Sequence, residues 1–352
     1  MSSALAALPG LVLTRLALLI VCLLAAWGCF ALWYQISGGR ARRIVSIAVW
    51  IAFTLAILIM LWQGWMVFGF LGFGIGFGTL LLWWRRLMPS NDRIWADDVA
   101  EMTTGTVEAG LVTLHNVRNF EWLTRTNYTQ HWETRSYELQ RLDSVDMIVS
   151  YWSYRAIAHV LISFGFNDGS HVVFSVEIRR QKGQAFSEIG GFFKEFELSI
   201  IAADERDVIR VRTNVRGEDA YLYRIRLPLS AMRSLFLAYV DQANRLVHTP
   251  RFYNTINVNC TTLVYHMMKH IVGYLPWDYR LVFSGFLPAY VYRVGGLDAR
   301  YTLQELRALG RITERANGAE RSGTFSADIR HGLPCMHPRE LGVAWNQNRP
   351  IQ

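Results

Sequence analysis

Three long apolar stretches near the N-terminus place the strongest limit on how this chain can fold. Residues 16–35, 44–62 and 65–84 are each close to the roughly 20 residues that an α-helix needs to cross a bilayer. The polar segments "GGRARR", "QG" and "RRLMPSNDR" bound these stretches. No small-residue cleavage site ends the first stretch before the second begins. The sequence therefore predicts a retained membrane module over residues 1–88 with about three transmembrane helices.

The third stretch contains "GFLGFGIGFG", a glycine pattern with a superficial likeness to a dinucleotide-binding loop. It lies inside an apolar run, and no acidic residue follows at the distance needed to hold a ribose. Gly72 and Gly76, like Gly74 and Gly78, are four residues apart, a spacing that allows transmembrane helices to approach closely. We therefore predict that these glycines serve helix packing.

The basic character of the chain belongs to the membrane flanks. The net charge is +8, and residues 1–93, with seven Arg and one Asp, contribute +6 of it. The rest of the chain holds 29 basic and 27 acidic residues, with no basic stripe or nucleic-acid-binding motif. We expect no nucleic-acid partner.

From Pro89 onward the sequence has the signals of a mixed α+β domain. "IAHVLISFGF" and "HVVFSVEIRR" are predicted strands joined by the turn "NDGS", while "TVEAGLVTLHNVRNFEW" reads as a strand entering a loop. "DVIRVRTNVRGEDAYLYRIRL" predicts two strands across "RGED", and "SAMRSLFLAYVDQANRLVH" has helical periodicity. Thr302 and Glu305 predict a capping box for a last helix. These signals divide the remainder into residues 89–300, a catalytic domain, and 301–352, a C-terminal helix and tail.

One of the four cysteines stands where a helix can tune its chemistry. Cys22 and Cys29 lie in the first apolar stretch, and Cys335 lies in the turn-rich "GLPCMHP". Cys260 lies in "FYNTINVNCTTLVYHMMKHIVG", where a polar loop with the candidate cap Asn259 becomes an amphipathic helix. Unpaired N–H groups at a helix start favour a thiolate, so Cys260 is the candidate nucleophile. A buried, inert cysteine is the alternative.

His159 is the first candidate for the base that a thiol nucleophile needs. It lies on a predicted strand, and the hairpin brings Glu177 close opposite it. A four-residue "NDGS" loop would pair position 159 with 178 and put the two side chains on opposite faces. A one-residue bulge near the turn pairs 159 with 177 and puts them on one face, so this register is part of the prediction.

The other histidines suit this role less well. His115 is the second candidate, while His266 and His270 lie too far along the helix of Cys260 to reach the thiol and are expected on a partly exposed face. The histidine and cysteine spacings give only a weak metal signal, and no nucleophile-elbow motif supports a serine hydrolase. We expect no metal and no cofactor.

Several separate motifs resemble the Lnb N-terminal periplasmic domain family of bacterial membrane proteins. They include "LHNVRNFEW", "YWSYRAIAHVLISFGFNDG", "VFSVEIRR", "YNTINVNCTTLV" and "FSADIRHGLP", and the resemblance spans roughly residues 83–334. It implies an α+β papain-like fold of the NlpC/P60 type in permuted order, with the histidine before the cysteine. It also implies N-acylation of bacterial lipoproteins, with Cys260, His159 and Glu177 at the positions of the family's cysteine, histidine and carboxylate.

The residues and the resemblance suggest one mechanism. His159 would take the proton of Cys260 while Glu177 orients the ring, and the thiolate would accept an acyl chain from a phospholipid or a lipoprotein. A lipoprotein amine would then receive the chain. The N–H of Cys260 is one candidate oxyanion donor, and the side chain of Tyr253 or Asn259 is a candidate second. His115 remains a candidate substrate-site residue.

Two alternatives stay open at this point. A cysteine amidase or peptidase acting on cell-wall peptides would use the same residues but would have a polar groove and little need of three membrane spans. A membrane scaffold without activity would use Cys260 only structurally. The resemblance also implies a bacterial inner-membrane location with a periplasmic catalytic domain. In contrast, the arginines that flank the last two apolar stretches favour the cytoplasmic side; they are Arg40, Arg42, Arg43, Arg85 and Arg86.

Overall fold

The computed structural model describes residues 2–320 and 322–334. Its contacts divide the chain into two compact units. The first consists of the described residues up to Pro89 together with Ser187–Glu195, and the second contains the other described residues. Along the chain, Ser187–Glu195 is therefore preceded and followed by residues of the second unit.

Three helices form the first unit, as the apolar stretches predict. They are α1 (Ser2–Gln35), α2 (Arg40–Trp62) and α3 (Met66–Arg86). By length and hydropathy, Thr14–Gln35, Arg40–Trp62 and Met66–Arg86 can each cross a membrane. Trp50 of α2 donates its indole N–H to the carbonyl of Ala25 in α1 over 2.9 Å. Lipid hydrocarbon offers no hydrogen-bond acceptor, so the Ala25 carbonyl provides the partner that the indole N–H needs.

The glycines of α3 divide into two pairs. A Cβ atom on Gly72 would lie 3.0 Å from Ile57, and one on Gly76 would lie 2.5 Å from Phe53, both on α2. Here the absence of a side chain allows α2 and α3 to pack closely, which confirms the prediction. A Cβ atom on Gly74 or Gly78 would meet no described atom within 4 Å, so the packing prediction does not hold for that pair.

The segment Ser187–Glu195 packs on the helices of the first unit through an aromatic cluster. The ring of Phe193 stacks on Tyr34 and Phe30, with centroids 5.7 and 5.4 Å apart. Gln35 donates to the Phe193 carbonyl over 2.7 Å, and Lys194 donates to the Trp84 carbonyl over 2.8 Å. These contacts explain why the segment belongs to the first unit. The sequence analysis did not predict them.

An eight-stranded sheet organises the second unit. Its order is β1-β2-β9-β8-β7-β6-β10, with β5 paired to β2, and β3 and β4 form a separate ribbon. The strands are β1 (Thr104–Glu108), β2 (Leu111–Arg118), β3 (Glu121–Trp122), β4 (Tyr128–Thr129), β5 (Trp132–Glu138), β6 (Leu142–Tyr151), β7 (His159–Phe166), β8 (His171–Arg179), β9 (Glu197–Ala203) and β10 (Asp219–Arg224). The predicted mixed α+β class is confirmed.

The first predicted strand of this unit is a hairpin. Ala109 and Gly110 have φ values of 48° and 85°, which form a tight turn between β1 and β2. Ala109 gave no turn signal because alanine seldom adopts positive φ. "TVEAGLVTLHNVRNFEW" therefore supplies two paired strands before it enters the loop.

Helices cover both faces of the sheet. They are α4 (Glu205–Arg210), α5 (Leu229–His248), α6 (Thr262–Val272), α7 (Leu287–Arg293), α8 (Leu303–Gly310), α9 (Thr313–Gly318) and α10 (Phe325–Asp328). Residues of α5, α6 and α7 form one large core with alternate residues of the strands, including Val160 and Met147. Residues of α4, α9 and α10 form a second core with Leu161 and Ile148 on the other face.

The prediction of a strand over "DVIRVRTNV" is wrong. These residues form α4 and a π-helical turn at Val211–Val215, and only the second predicted strand, β10, exists. The Asp204 carboxylate caps α4 by accepting the N–H of Arg206. The buried Asp207 carboxylate accepts bonds from Arg118 and from the indole of Trp122, each over 2.7 Å. A central strand would not give Asp207 these partners, so long-range polar contacts override the alternating pattern.

The C-terminal region joins the second unit. The predicted capping box is confirmed, since Thr302 and Glu305 bond reciprocally at the start of α8. Two more helices, α9 and α10, follow, and Ile312 and Phe325 enter the second core. The sequence predicted only one helix before a tail. Cys335 lies outside the described residues.

Candidate active site

A three-residue turn sets the register that the candidate histidine and carboxylate require. Phe166 donates its N–H to the carbonyl of Ser170, and Gly169 has a φ of 85°. Leu161 then pairs with Ser175, and the same register places His159 opposite Glu177. The predicted bulged register is confirmed, and both side chains lie on one face of the sheet.

Ser175 joins His159 to Glu177. Its hydroxyl donates to Glu177 Oε1 over 2.6 Å and lies 2.8 Å from His159 Nε2, which is itself 3.2 Å from Glu177 Oε1. Because the serine proton is committed to the carboxylate, Nε2 carries the hydrogen in this network. The other ring nitrogen, Nδ1, is then the one that can accept a thiol proton.

Asn259 caps the turn that presents Cys260. Its side-chain oxygen accepts the N–H groups of Thr261 and Thr262 over 2.9 and 2.8 Å. The Thr262 hydroxyl accepts the Asn259 N–H over 3.0 Å, and the Asn259 carbonyl accepts the N–H of Leu263. Helical hydrogen bonding therefore begins at Asn259, ahead of α6, and Cys260 occupies the first position after the cap.

Cys260 meets His159 at the start of β7. Cys260 is only 6% exposed and belongs to the first core, whereas Leu161, on the same strand face as His159, belongs to the second core. His159 is the first residue of its strand, so its ring can bond to a thiol that arrives from the other side of the sheet. The candidate site therefore lies at a strand end between the two cores.

The charges favour a thiolate–imidazolium pair. Burial and the Arg212 guanidinium lower the pKa of His159, but the Glu177 carboxylate and the hydrogen bonds to Cys260 and Glu177 outweigh them and raise it to about 9. Burial raises the pKa of Cys260, but its bonds to His159 and to the Val160 N–H outweigh burial and lower it. The two shifts bring the proton from the thiol to the ring.

These shifts predict a bell-shaped pH dependence for any reaction in which His159 donates a proton. Below the lowered pKa of Cys260 the thiolate is lost, and above about pH 9 His159 loses its proton. We expect turnover of an acyl ester to fall above about pH 9. Alkylation of Cys260 by iodoacetamide, which needs only the thiolate, should stay fast there. An alkylation rate that falls together with turnover would contradict the ion-pair assignment.

Arg212 is a site residue that the sequence analysis missed. It lies in the π-helical turn, is buried, donates to Glu177 Oε1 over 3.0 Å and pairs with Glu218 at 3.6 Å. Ser150, which pairs with His159 across β6 and β7, donates to the same Glu218 over 2.6 Å. The alternating pattern around Arg212 predicted a strand, so nothing in the sequence placed this arginine near Glu177.

We expect Arg212→Leu to raise the pKa of His159, because the Arg212 charge lowers that pKa. The upper limb of the pH–rate profile should move to higher pH. The loss of one partner from a buried ion pair should also lower the free energy of unfolding by about 3–5 kcal/mol. Arg212→Lys is the control, since it retains the charge. An unchanged upper limb in a folded Arg212→Leu variant would show that the arginine only supports the fold.

The remaining predicted residues divide into near and distant ones. Tyr253 is near, because the charges of Cys260 and Glu177 help burial to raise the pKa of its hydroxyl well above the usual value. Asn259 is near but donates its amide N–H to the Thr255 carbonyl over 2.6 Å. His115 bonds to Thr134 from β2, with β9 and β8 between β2 and β7. His266 and His270 are exposed, as predicted.

Together these residues define a candidate cysteine-nucleophile site: a buried thiol beside a capped helix start, bonded to a histidine that a carboxylate orients. Residues 128–285 match the family described as the Lnb N-terminal periplasmic domain, which confirms the family that the motifs indicated. The match includes all three candidate catalytic residues but is narrower than the predicted span of 83–334. The match and the three helices fit a membrane protein with a periplasmic domain. No curated protein and no solved structure matches the chain.

Proposed function

We propose that this protein is a thiol acyltransferase that moves an acyl chain to the N-terminal amine of bacterial lipoproteins. The observation that carries the proposal is the bonded set of Cys260, His159 and Glu177, with pKa shifts towards a thiolate and an imidazolium. The α+β unit would then be a papain-like fold of the permuted NlpC/P60 type. That order is the one found here, since the histidine strand precedes the cysteine helix in the chain.

The reaction proceeds in two balanced halves. The Cys260 thiolate attacks the carbonyl of an acyl ester, the ester C–O bond breaks, and the leaving alcohol takes the proton of His159. The acceptor amine then attacks the thioester while His159 takes one of its protons. The C–S bond breaks and the thiolate–imidazolium pair is restored. The N–H of Cys260 and the hydroxyl of Tyr253 would stabilise the oxyanion in both halves.

Mass spectrometry of lipoprotein N-termini tests this function. Cells that express the protein should carry an acyl group on the lipoprotein amine, and cells that express Cys260→Ser should not. Purified protein should hydrolyse cell-wall peptides no faster than the Cys260→Ser variant does. Cysteine-dependent peptide cleavage with unchanged lipoproteins would instead favour the amidase alternative.

The proposal requires a bacterial inner-membrane location with the second unit in the periplasm. Arg40, at the start of α2, and Arg86, at the end of α3, lie at the same side of a helical hairpin, and the positive-inside rule favours the cytoplasm for that side. We expect the export of the domain to override this bias. A phosphatase reporter at the C-terminus, active only after export, should be active. Activity only of a cytoplasmic reporter would contradict the location.

A further inference from the structure

An apolar cavity adjoins the candidate active site within the second unit. Its empty space, including the part open to solvent, is about 640 Å³. Strands β6 and β7, the chain after β10, and helices α5, α6 and α7 supply its wall. Its lining residues include Val145, Val160, Ile225, Thr261, Tyr265 and Tyr290.

One end of the cavity lies beside the reacting groups. Thr261 lines it and follows Cys260 directly, with its hydroxyl 3.8 Å from the thiol sulfur. Val160 also lines it, and its backbone N–H bonds to Cys260. The cavity therefore begins beside the residue that carries the thiol.

The sheet register locates the opposite end. Ile225 donates its N–H to Val145, which pairs with Phe164, four residues along β7 from Val160. This distance is about 14 Å along the strand, and Ile225 lies about 10 Å away across two strand spacings. The cavity is therefore elongated, and Ile225 lies at the end remote from Cys260.

The lining has almost no polar group to offer a ligand. The hydroxyl of Tyr265 donates to the Leu275 carbonyl, and that of Tyr290 donates to the Pro276 carbonyl, both over 2.9 Å. None of the lining side chains is charged. A peptide in this cavity would leave its backbone N–H and carbonyl groups without partners, which is costly. A hydrocarbon chain has no polar groups that would be left without hydrogen-bond partners.

We propose that this cavity holds the acyl chain of the donor while its carbonyl lies at Cys260, and that Ile225 sets the chain length. The inference deepens the proposed acyl transfer and rests on it for the identity of the ligand. It assigns the substrate class to long, unbranched acyl esters. It also distinguishes this site from that of a cell-wall amidase, whose peptide substrate needs polar partners.

Alkylation by N-alkyl iodoacetamides of increasing chain length tests the cavity on the full chain in detergent. The Cys260 thiolate displaces iodide, and a C–S bond forms without any acyl transfer. The rate should rise with chain length, by at most about fourfold per methylene buried, until the chain reaches Ile225. Ile225→Phe should move this limit to shorter chains, and Ile225→Ala should move it to longer ones.

Two comparisons separate the cavity from detergent and folding effects. Leu123→Trp, at an exposed position outside the cavity, should leave the chain-length profile unchanged. Iodoacetamide itself should react equally with all the folded variants. The cavity assignment would be overturned if the alkylation rate did not depend on chain length. It would also be overturned if the chain-length limit did not move in opposite directions in the two Ile225 variants. If the profile holds but cells that express the protein show no acylation of lipoprotein amines, the cavity assignment stands and the proposed function fails.

Discussion

Cys260→Ser is expected to abolish acyl transfer while the protein remains folded and membrane-inserted. A serine hydroxyl at this position is not ionised at neutral pH, whereas the thiol can be. Loss of a nucleophile lowers kcat by about 10⁴–10⁶-fold. The fold should tolerate the change, because the Asn259 cap bonds to backbone and threonine groups and not to the thiol. Single-turnover kinetics with an acyl ester and mass spectrometry for the acyl-enzyme would measure the effect.

The other described cysteines provide matched controls. Cys22 and Cys29 are free thiols in α1, so Cys22→Ser and Cys29→Ser should retain activity. If Cys260→Ser forms an acyl adduct and turns over like the parent, the nucleophile assignment is wrong. If it unfolds, Cys260→Ala, which keeps the apolar surroundings, gives the same test.

His159→Ala should reduce turnover by about 10²–10⁴-fold, the range for loss of a general base. Glu177→Gln should cost less, because the carboxylate orients the ring and does not itself move the proton in the reaction. Gln is preferred to Ala here because its side-chain oxygen can still accept the hydrogen bond of Arg212. Steady-state kinetics with a long-chain acyl ester would rank the two variants.

Iodoacetamide separates the role of His159 from a general loss of fold. In His159→Ala, burial remains and the positive partner is gone, so the pKa of Cys260 should rise and alkylation at neutral pH should slow. His266→Ala, on the exposed face of the cysteine helix, is the control and should change neither rate. If His115→Ala were inactive and His159→Ala remained active, His159 would not be the general base.

The local motifs of the site were predictable because each depends on nearby residues. The turn "NDGS" produced the hairpin, and Gly169 at positive φ produced the register that places His159 opposite Glu177. The polar loop before α6 produced a capped helix start at Cys260. That these groups perform catalysis is the prediction that the variants above test.

The contacts of Arg212 were not predictable in the same way. Its pattern of alternating residues is typical of a strand, but the partners of Asp207 come from Phe120 and Trp122, more than 80 residues earlier. Those contacts turn the segment into α4 and a π-helical turn and bring Arg212 to Glu177. A single sequence contains no signal for such long-range partners.

The sequence by itself determined the three membrane helices, the α+β class, the hairpin and the capped thiol, because hydropathy, turn residues and caps act over a few neighbouring residues. The tertiary structure decided that His159 and Cys260 meet at the start of β7, that Arg212 supports Glu177 and that two strands separate His115 from His159. It also decided that apolar residues from three helices and two strands, together with the chain after β10, leave an elongated cavity beside the thiol. The physical reason is that strand order and helix packing bring together residues more than 100 positions apart, and no local pattern records that pairing.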